Sequence, residues 1–148
     1  MFSRILVPVD GSAASDEAVK TAVFMAAAFK ASVAIVSVID PFAFTGVGSD
    51  MAYGQNEYLE AAQAQADVAI KAARVICADS AVEATSSVME GNSVYTSIIE
   101  AADTLGADVI VIGSHGRRGI EKLILGSVTA QVLEHSHLPV LVVRASAH

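Results

Sequence analysis

One segment of the sequence combines closely spaced glycines with positive charges, a pattern suited to binding an anion. Its glycines are Gly113, Gly116, Gly119 and Gly126, and its cations are Arg117, Arg118 and Lys122. Glycines let a backbone approach a ligand closely, and the start of the helix predicted to follow, at Gly126-Ser127-Val128, favours negative charge. The spacing matches neither a P-loop nor the GxGxxG dinucleotide fingerprint. The alternative is a solvated loop whose arginines face water.

A second polar cluster follows the first predicted strand, in Pro8-Val9-Asp10-Gly11-Ser12. Ser12 stands where a helix N-cap is expected, and capping alone would explain it. Asp10 lies too early for a simple cap, so we interpret it as a ligand contact.

Five short segments have the pattern of β-strands. Four are apolar and mostly β-branched, as is typical of parallel strands covered on both faces: 5–7, 33–36, 109–112 and 140–143. The segment 82–89 alternates more weakly and predicts an edge strand.

Helical patterns separate these strands, at 15–30, 57–78, 93–105 and 127–135. This alternation predicts one doubly wound, Rossmann-like α/β domain over residues 1–148. Its five-stranded parallel sheet has the order 3-2-1-4-5, with helices on both faces. Ligands bind such sheets beyond the carboxyl ends of the strands where the order reverses, so Asp10 and the glycine segment should meet there. The stretch 40–56 predicts a long loop, either a functional flap or a mobile excursion.

Composition narrows the class of partner. Hydrophobic residues make up 53% of the chain and charged residues 17%, which suits a sheet buried on both faces. The net charge of −7 argues against nucleic-acid or anionic-membrane binding. No apolar run approaches the roughly 20 residues of a membrane span, and no signal-peptide pattern is present, so we expect a cytoplasmic protein. The single cysteine, Cys77, is predicted to be a buried structural thiol.

The glycine segment resembles the ATP-binding signature of the universal stress protein family. Gly113, two residues, Gly116, nine residues and then Gly126-Ser127 match its Gly-x2-Gly-x9-Gly followed by Ser or Thr. The N-terminal Ile-Leu-Val-Pro-Val-Asp-Gly-Ser and the closing Leu-Pro-Val-Leu-Val-Val-Arg are similar to the family's first and last strands. The resemblance therefore covers essentially the whole chain.

The resemblance implies a role for each matching residue. Pro8, Val9 and Asp10 would line the adenosine side, and Val38 would pack on the base. Ribose and phosphates would be held by the glycine segment, with Gly113, His115, Gly116, Arg117, Gly119, Gly126, Ser127 and Val128 as the candidate contacts. The family also implies a homodimer through the last strand, and the apolar segment 140–143 agrees with that, because an uncovered edge strand tends to pair.

Three functions fit these features. The first is a regulatory stress-response module that binds ATP, AMP or cyclic AMP as a homodimer, without significant turnover and with a downstream protein partner still to be identified. The second is a slow ATPase or a phosphoryl- or adenylyl-transfer enzyme, with Mg²⁺ bridging the phosphates near Asp10 or Ser127. The third is a dimeric scaffold that needs no nucleotide. No catalytic residue is assigned and no metal-ligand set is predicted, since no base is paired with a metal cluster.

Overall fold

The computed structural model describes residues 2–41, 51–116 and 125–145, without the side chains of residues 51–53 and 55. Strands and helices alternate along this part of the chain. The strands are β1 (Arg4–Pro8), β2 (Ser32–Ile39), β3 (Ala84–Glu90), β4 (Val109–Gly113) and β5 (Val140–Val143). The helices are α1 (Ala13–Phe29), α2 (Met51–Ala78), α3 (Val94–Thr104) and α4 (Ser127–His135).

The sheet confirms the predicted topology. Its strand order is β3-β2-β1-β4-β5, and every neighbouring pair is parallel. The β1–β2 register pairs Ile5 with Val33 and Leu6 with Ala34. The sheet thus has β3 at one edge and β5 at the other, with β1 and β4 side by side near its centre.

Helices cover both faces of the sheet, and each face has its own apolar core. Odd-numbered residues of β1 and β2, such as Ile5 and Val33, are buried with residues of α1 and α2. Even-numbered residues such as Leu6 and Ala34 are buried with residues of α3 and α4. Because alternate side chains of a strand point to opposite faces, strands buried on both faces are mostly apolar, as β1 and β2 are.

Several element boundaries differ from the sequence predictions. The largest difference is α2, which begins at Met51 rather than at residue 57, so the prediction of irregular structure up to Asn56 is wrong. Gly54 suggested a loop, but a single glycine costs a helix only about 1 kcal/mol. The Tyr58 hydroxyl also donates to the carbonyl of Asp40 at 3.0 Å, which ties α2 to the end of β2. Residues 42–50 of the predicted loop lie outside the described residues.

The single cysteine is buried, as the sequence predicts. Cys77 is 3% exposed within the core between the sheet and α2. Burial raises the pKa of its thiol, and the nearby Arg74 offsets only part of this increase. The thiol is therefore largely protonated and weakly nucleophilic at neutral pH.

Candidate functional site: a cavity between two helix starts

A cavity of about 390 Å³ opens at the carboxyl edge of the sheet, where β1 and β4 lead into different helices. This is the position at which open parallel sheets bind ligands, because the chain diverges to opposite faces and leaves a crevice. The cavity is lined by Pro8, Val9, Asp10, Ser12, Ser15, Val38, Val94, Ile98, Ile112, Gly113, His115, Gly116, Gly126, Ser127, Val128 and Thr129.

The structure brings most of the sequence-predicted site residues into this one cavity. It is lined by Pro8 at the end of β1, by Val9 and Asp10, which follow that strand, and by Val38. The predicted contacts from residues 113–116 and 126–128 also line it. Arg117 and Gly119 lie outside the described residues, as do Arg118 and Lys122.

Sequence reasoning missed the contribution of α3. Val94 and Ile98 line the cavity from the first turns of that helix. Both have the spacing of a buried apolar face, so their type gave no functional signal. Their position at the start of a helix, and hence at the carboxyl edge of the sheet, could have indicated it.

The turn before α1 is held by a small network of side-chain hydrogen bonds. Gly11 adopts φ +84°, a conformation that favours glycine, and the Ser12 N–H donates to Asp10 Oδ1 at 2.9 Å. The Ser12 hydroxyl then accepts from the Ser15 N–H at 3.1 Å, so Ser12 is the helix N-cap. The capping interpretation of Ser12 is confirmed, and the same residue also borders the cavity.

Asp10 connects the two halves of the site. A Cβ atom placed on Gly116 would lie 2.5 Å from Asp10 Oδ2, so the loop after β4 runs directly past this carboxylate. A larger residue at position 116 would displace the Asp10 side chain. Gly116 therefore keeps the backbone close to Asp10 at the mouth of the cavity.

Two other glycines of the signature allow chain segments to pack closely. A Cβ on Gly113 would lie 2.8 Å from the carbonyl carbon of Ala14, and one on Gly126 would lie 3.1 Å from the Cα of His115. The prediction that these glycines admit a ligand is therefore incomplete, since Gly113 also lets the start of α1 rest on the end of β4. Gly113 is therefore required by the packing of the fold, and Gly126 brings the start of α4 close to His115.

Hydrogen bonds fix the loop after β4 to its neighbours. The Gly126 N–H donates to the carbonyl of Ser114 at 2.8 Å, and the Thr129 hydroxyl donates to the carbonyl of Gly113 at 2.7 Å. The Ser114 N–H donates to the carbonyl of Val143 at 2.7 Å. The start of α4 is thus held rigidly beside the end of β4.

The start of α4 differs from that of α1 in having no side-chain cap. Gly126 is the N-cap residue, and the first turn carries no acidic residue. Among the described residues, none accepts a hydrogen bond from the N–H groups of Ser127, Val128 or Thr129. These donors and the positive end of the helix dipole favour an anion at this wall of the cavity.

Part of the cavity lining is apolar. Val38 is the residue before the last in β2, Val94 and Ile98 come from α3, and Ile112 comes from β4. Branched aliphatic side chains from three elements can cover the faces of a flat ring. The cavity therefore combines apolar side chains with an uncapped helix start.

Negative charge is concentrated at the start of α1. Asp16 lies in its first turn, and burial raises the pKa of this carboxyl, while Lys20 lowers it and the neighbouring Asp10 and Glu17 raise it further. No group of three metal-ligating side chains occurs among residues 2–41, 51–116 and 125–145. An anionic group entering the cavity would avoid the α1 side and favour the α4 side.

Comparison with known proteins identifies the family. A family model described as universal stress protein family matches residues 1–144. The chain belongs to the universal stress protein family. A universal stress protein of Methanocaldococcus jannaschii is 33% identical over 145 residues, which cover 97% of this chain and 83% of the relative.

Solved structures of universal stress proteins have the same fold. UspA of Lactobacillus plantarum has a TM-score of 0.84 at 26% identity, covering 96% of this chain and 97% of that chain. A universal stress protein in complex with cAMP has a TM-score of 0.64 at 28% identity, covering 98% of both chains. In the part of this chain that the structure describes, no helix is long and apolar enough to cross a bilayer.

Proposed function

We propose that this universal stress protein is a stress-response regulator that binds an adenine nucleotide, preferably ATP, in the cavity between α1 and α4. The observation that carries the proposal is the uncapped start of α4 at a cavity that also has an apolar lining. A nucleotide has this polarity, with a flat base at one end and phosphates at the other. A volume of about 390 Å³ is within the range of small-molecule sites.

The arrangement suggests an orientation for the nucleotide. The phosphates would accept hydrogen bonds from the amides of Ser127 and Val128, and the base would pack on Val38 and Val94. Asp10 would lie between them and accept hydrogen bonds from ribose hydroxyls. Among the described lining residues it is also the single carboxylate, so it would be a ligand for any Mg²⁺ that accompanies the phosphates.

Structural similarity supports the adenine class but leaves the number of phosphates to experiment. The related protein in complex with cAMP carries one cyclic phosphate. The glycine signature in this chain is the form that resembles ATP binding. We therefore propose ATP over AMP and cyclic AMP, in the cytoplasm, where ATP is available.

Thermal melts with a panel of ligands test this proposal. A ligand at a hundredfold excess over its dissociation constant adds about 2.7 kcal/mol, so Tm should rise by about 5–11 °C. We expect ATP to give the largest shift, adenosine a small one, and GTP less than ATP. Equal shifts for ATP and adenosine would contradict the phosphate site, and no shift from any nucleotide would favour a scaffold that needs none.

Turnover distinguishes a binding module from an enzyme. We expect nucleotide to be recovered intact after long incubation with the protein and Mg²⁺, because binding rather than hydrolysis is the proposed role. Steady-state phosphate release, well above that of a Ser127→Glu variant, would instead assign an ATPase.

We further propose a homodimer through β5. This edge strand has four apolar residues, and Leu141 is 41% exposed, which an unpaired edge would leave in water. Leu141 is also the better test position, since Val142 packs in the core on the α3 and α4 side. A Leu141→Asp variant should sediment as a smaller species than the parent, and an unchanged sedimentation coefficient would place the interface elsewhere.

A further inference from the structure

The second edge of the sheet, β3, has backbone groups directed away from the sheet. The Val33 N–H donates to the carbonyl of Glu83, and the Gly91 N–H donates to the carbonyl of Ile39. In residues 83–91, the backbone N–H and C=O groups of the odd-numbered residues therefore point toward β2. Because a parallel ladder alternates, the even-numbered residues present their N–H and C=O groups to the outer side: Ala84, Ser86, Val88 and Glu90.

The outer side of β3 carries little that would prevent another strand from pairing. Among the residues that the structure describes, none outside β2 hydrogen-bonds to the backbone of residues 84–90. Thr85, Ser86 and Ser87 are exposed, and the strand contains no lysine and no proline, which commonly protect an edge.

The flank of α2 beside this edge carries charged side chains. Asp67, Lys71, Arg74 and Val75 line a groove of about 520 Å³ between α2 and the first residues of β3. Arg74 Nη1 donates to the Ser86 hydroxyl at 3.0 Å and has no acidic partner among the described residues.

We propose that β3 pairs antiparallel with β3 of a second copy of this chain, about a twofold axis at Ser87. In this register Ala84 lies opposite the second copy's Glu90, and Ser86 lies opposite its Val88. Each residue whose N–H and C=O groups point away from β2 then lies opposite another such residue of the second copy. No backbone group of β3 is therefore left unpaired. Such an isologous contact uses the same surface twice.

Charge complementarity favours a second copy over an unrelated peptide. Even-numbered side chains of β3 share the α2 face of the sheet, where Arg74 reaches Ser86. The Glu90 carboxylate of the second copy would be diagonal to Ser86 on that face and within reach of Arg74. The twofold axis repeats this contact, so each copy supplies the anion that the Arg74 of the other lacks.

Disulfide trapping tests the register. A Ser87→Cys substitution places two cysteines across the axis in a non-hydrogen-bonded pair about 4.5 Å apart at Cα, a spacing that a disulfide accepts. Thr85→Cys is the matched control, because the two copies of residue 85 would be about 13 Å apart along the strands. The native Cys77 is buried and does not interfere. Rapid cross-linking of the Ser87→Cys variant is expected, with little from Thr85→Cys; equal yields for both would overturn the register.

Sedimentation in a Leu141→Asp background separates this interface from the proposed β5 dimer. We expect a dimer that dissociates on dilution. Glu90→Lys should weaken it about tenfold by placing a cation beside Arg74, and Arg74→Glu combined with Glu90→Lys should restore it. A monomer at all concentrations, or a double variant as weak as Glu90→Lys alone, would refute the β3 interface whatever the fate of β5.

Discussion

The starts of α1 and α4 border the same cavity but differ in chemistry. At α1, Ser12 caps the helix, and Asp10 and Asp16 add negative charge. At α4, the N-cap is Gly126 and the first turn has neither a cap nor an acid. The two helix starts beside this cavity therefore differ in capping and in nearby charge.

The proposed phosphate site depends on this difference, because a helix start attracts an anion most strongly where the chain leaves it uncapped. At α1 the Ser12 hydroxyl occupies the Ser15 N–H, and nearby carboxylates oppose the dipole. At α4 glycine at the N-cap position leaves the first N–H groups to a ligand. The Gly126-Ser127 part of the signature thus has a physical meaning, which is an uncapped helix.

Adding a carboxylate to the start of α4 should make it resemble the start of α1 in charge. We expect this change to have the largest effect on ATP affinity. A Ser127→Glu variant places a negative charge beside the proposed phosphates, so ATP affinity should fall about a hundredfold, or roughly 2.7 kcal/mol. The fold itself should be slightly more stable, because an acid at a helix N-terminus contributes about 0.3–1 kcal/mol. Calorimetric titration and thermal melts measure the two effects.

Ser127→Gln is the control, since it has nearly the same size without the charge. It should retain most of the ATP affinity, and adenosine affinity should change little in either variant. If the glutamine variant loses as much ATP affinity as the glutamate variant, the size of the side chain rather than its charge controls ATP binding.

Replacing Gly113 and Gly116 one at a time distinguishes effects on stability from effects on ligand binding. In Gly113→Ala the new Cβ would meet the backbone of Ala14, which cannot move aside, so a loss of about 2 kcal/mol in stability is expected. In Gly116→Ala the nearest atom is the end of the Asp10 side chain, which can rotate. That variant should keep its Tm and lose affinity for ATP and adenosine alike. Equal losses of Tm would show that both glycines serve only packing.

Sequence alone predicted a parallel, doubly wound sheet because strands and helices alternate strictly and most of the strands are largely apolar, and the expected order 3-2-1-4-5 is confirmed. It also placed Asp10 next to the glycine segment, since both follow strands that become neighbours. It could not show that Gly113 accommodates Ala14, because a close approach between distant residues leaves no local pattern. The role of Val94 and Ile98 was hidden for a similar reason: their spacing is that of any buried helix face.

The start of α2 shows where local signals mislead. Gly54 and the preceding glycines favoured a loop up to residue 56, whereas the helix begins at Met51. The hydrogen bond from Tyr58 to the carbonyl of Asp40 links two elements across the predicted loop and has no signature in the sequence. Tertiary contacts of this kind decide element boundaries more often than element types.

Removing the cap of α1 has the smallest expected effect and tests the other half of the comparison. In Ser12→Ala the Ser15 N–H loses its acceptor, and replacing an N-cap serine by alanine costs about 1 kcal/mol, so Tm should fall by about 2–4 °C. The matched variant is Ser127→Ala, which follows an N-cap glycine and should change stability by less than about 0.5 kcal/mol. Because Asp10 remains beside α1, the Ser15 N–H that this variant leaves without its acceptor should not attract phosphate. The ratio of ATP to adenosine affinity should therefore stay at its parent value. A Ser12→Ala protein that gains ATP affinity would show that the cap, and not the carboxylates, keeps anions away from α1.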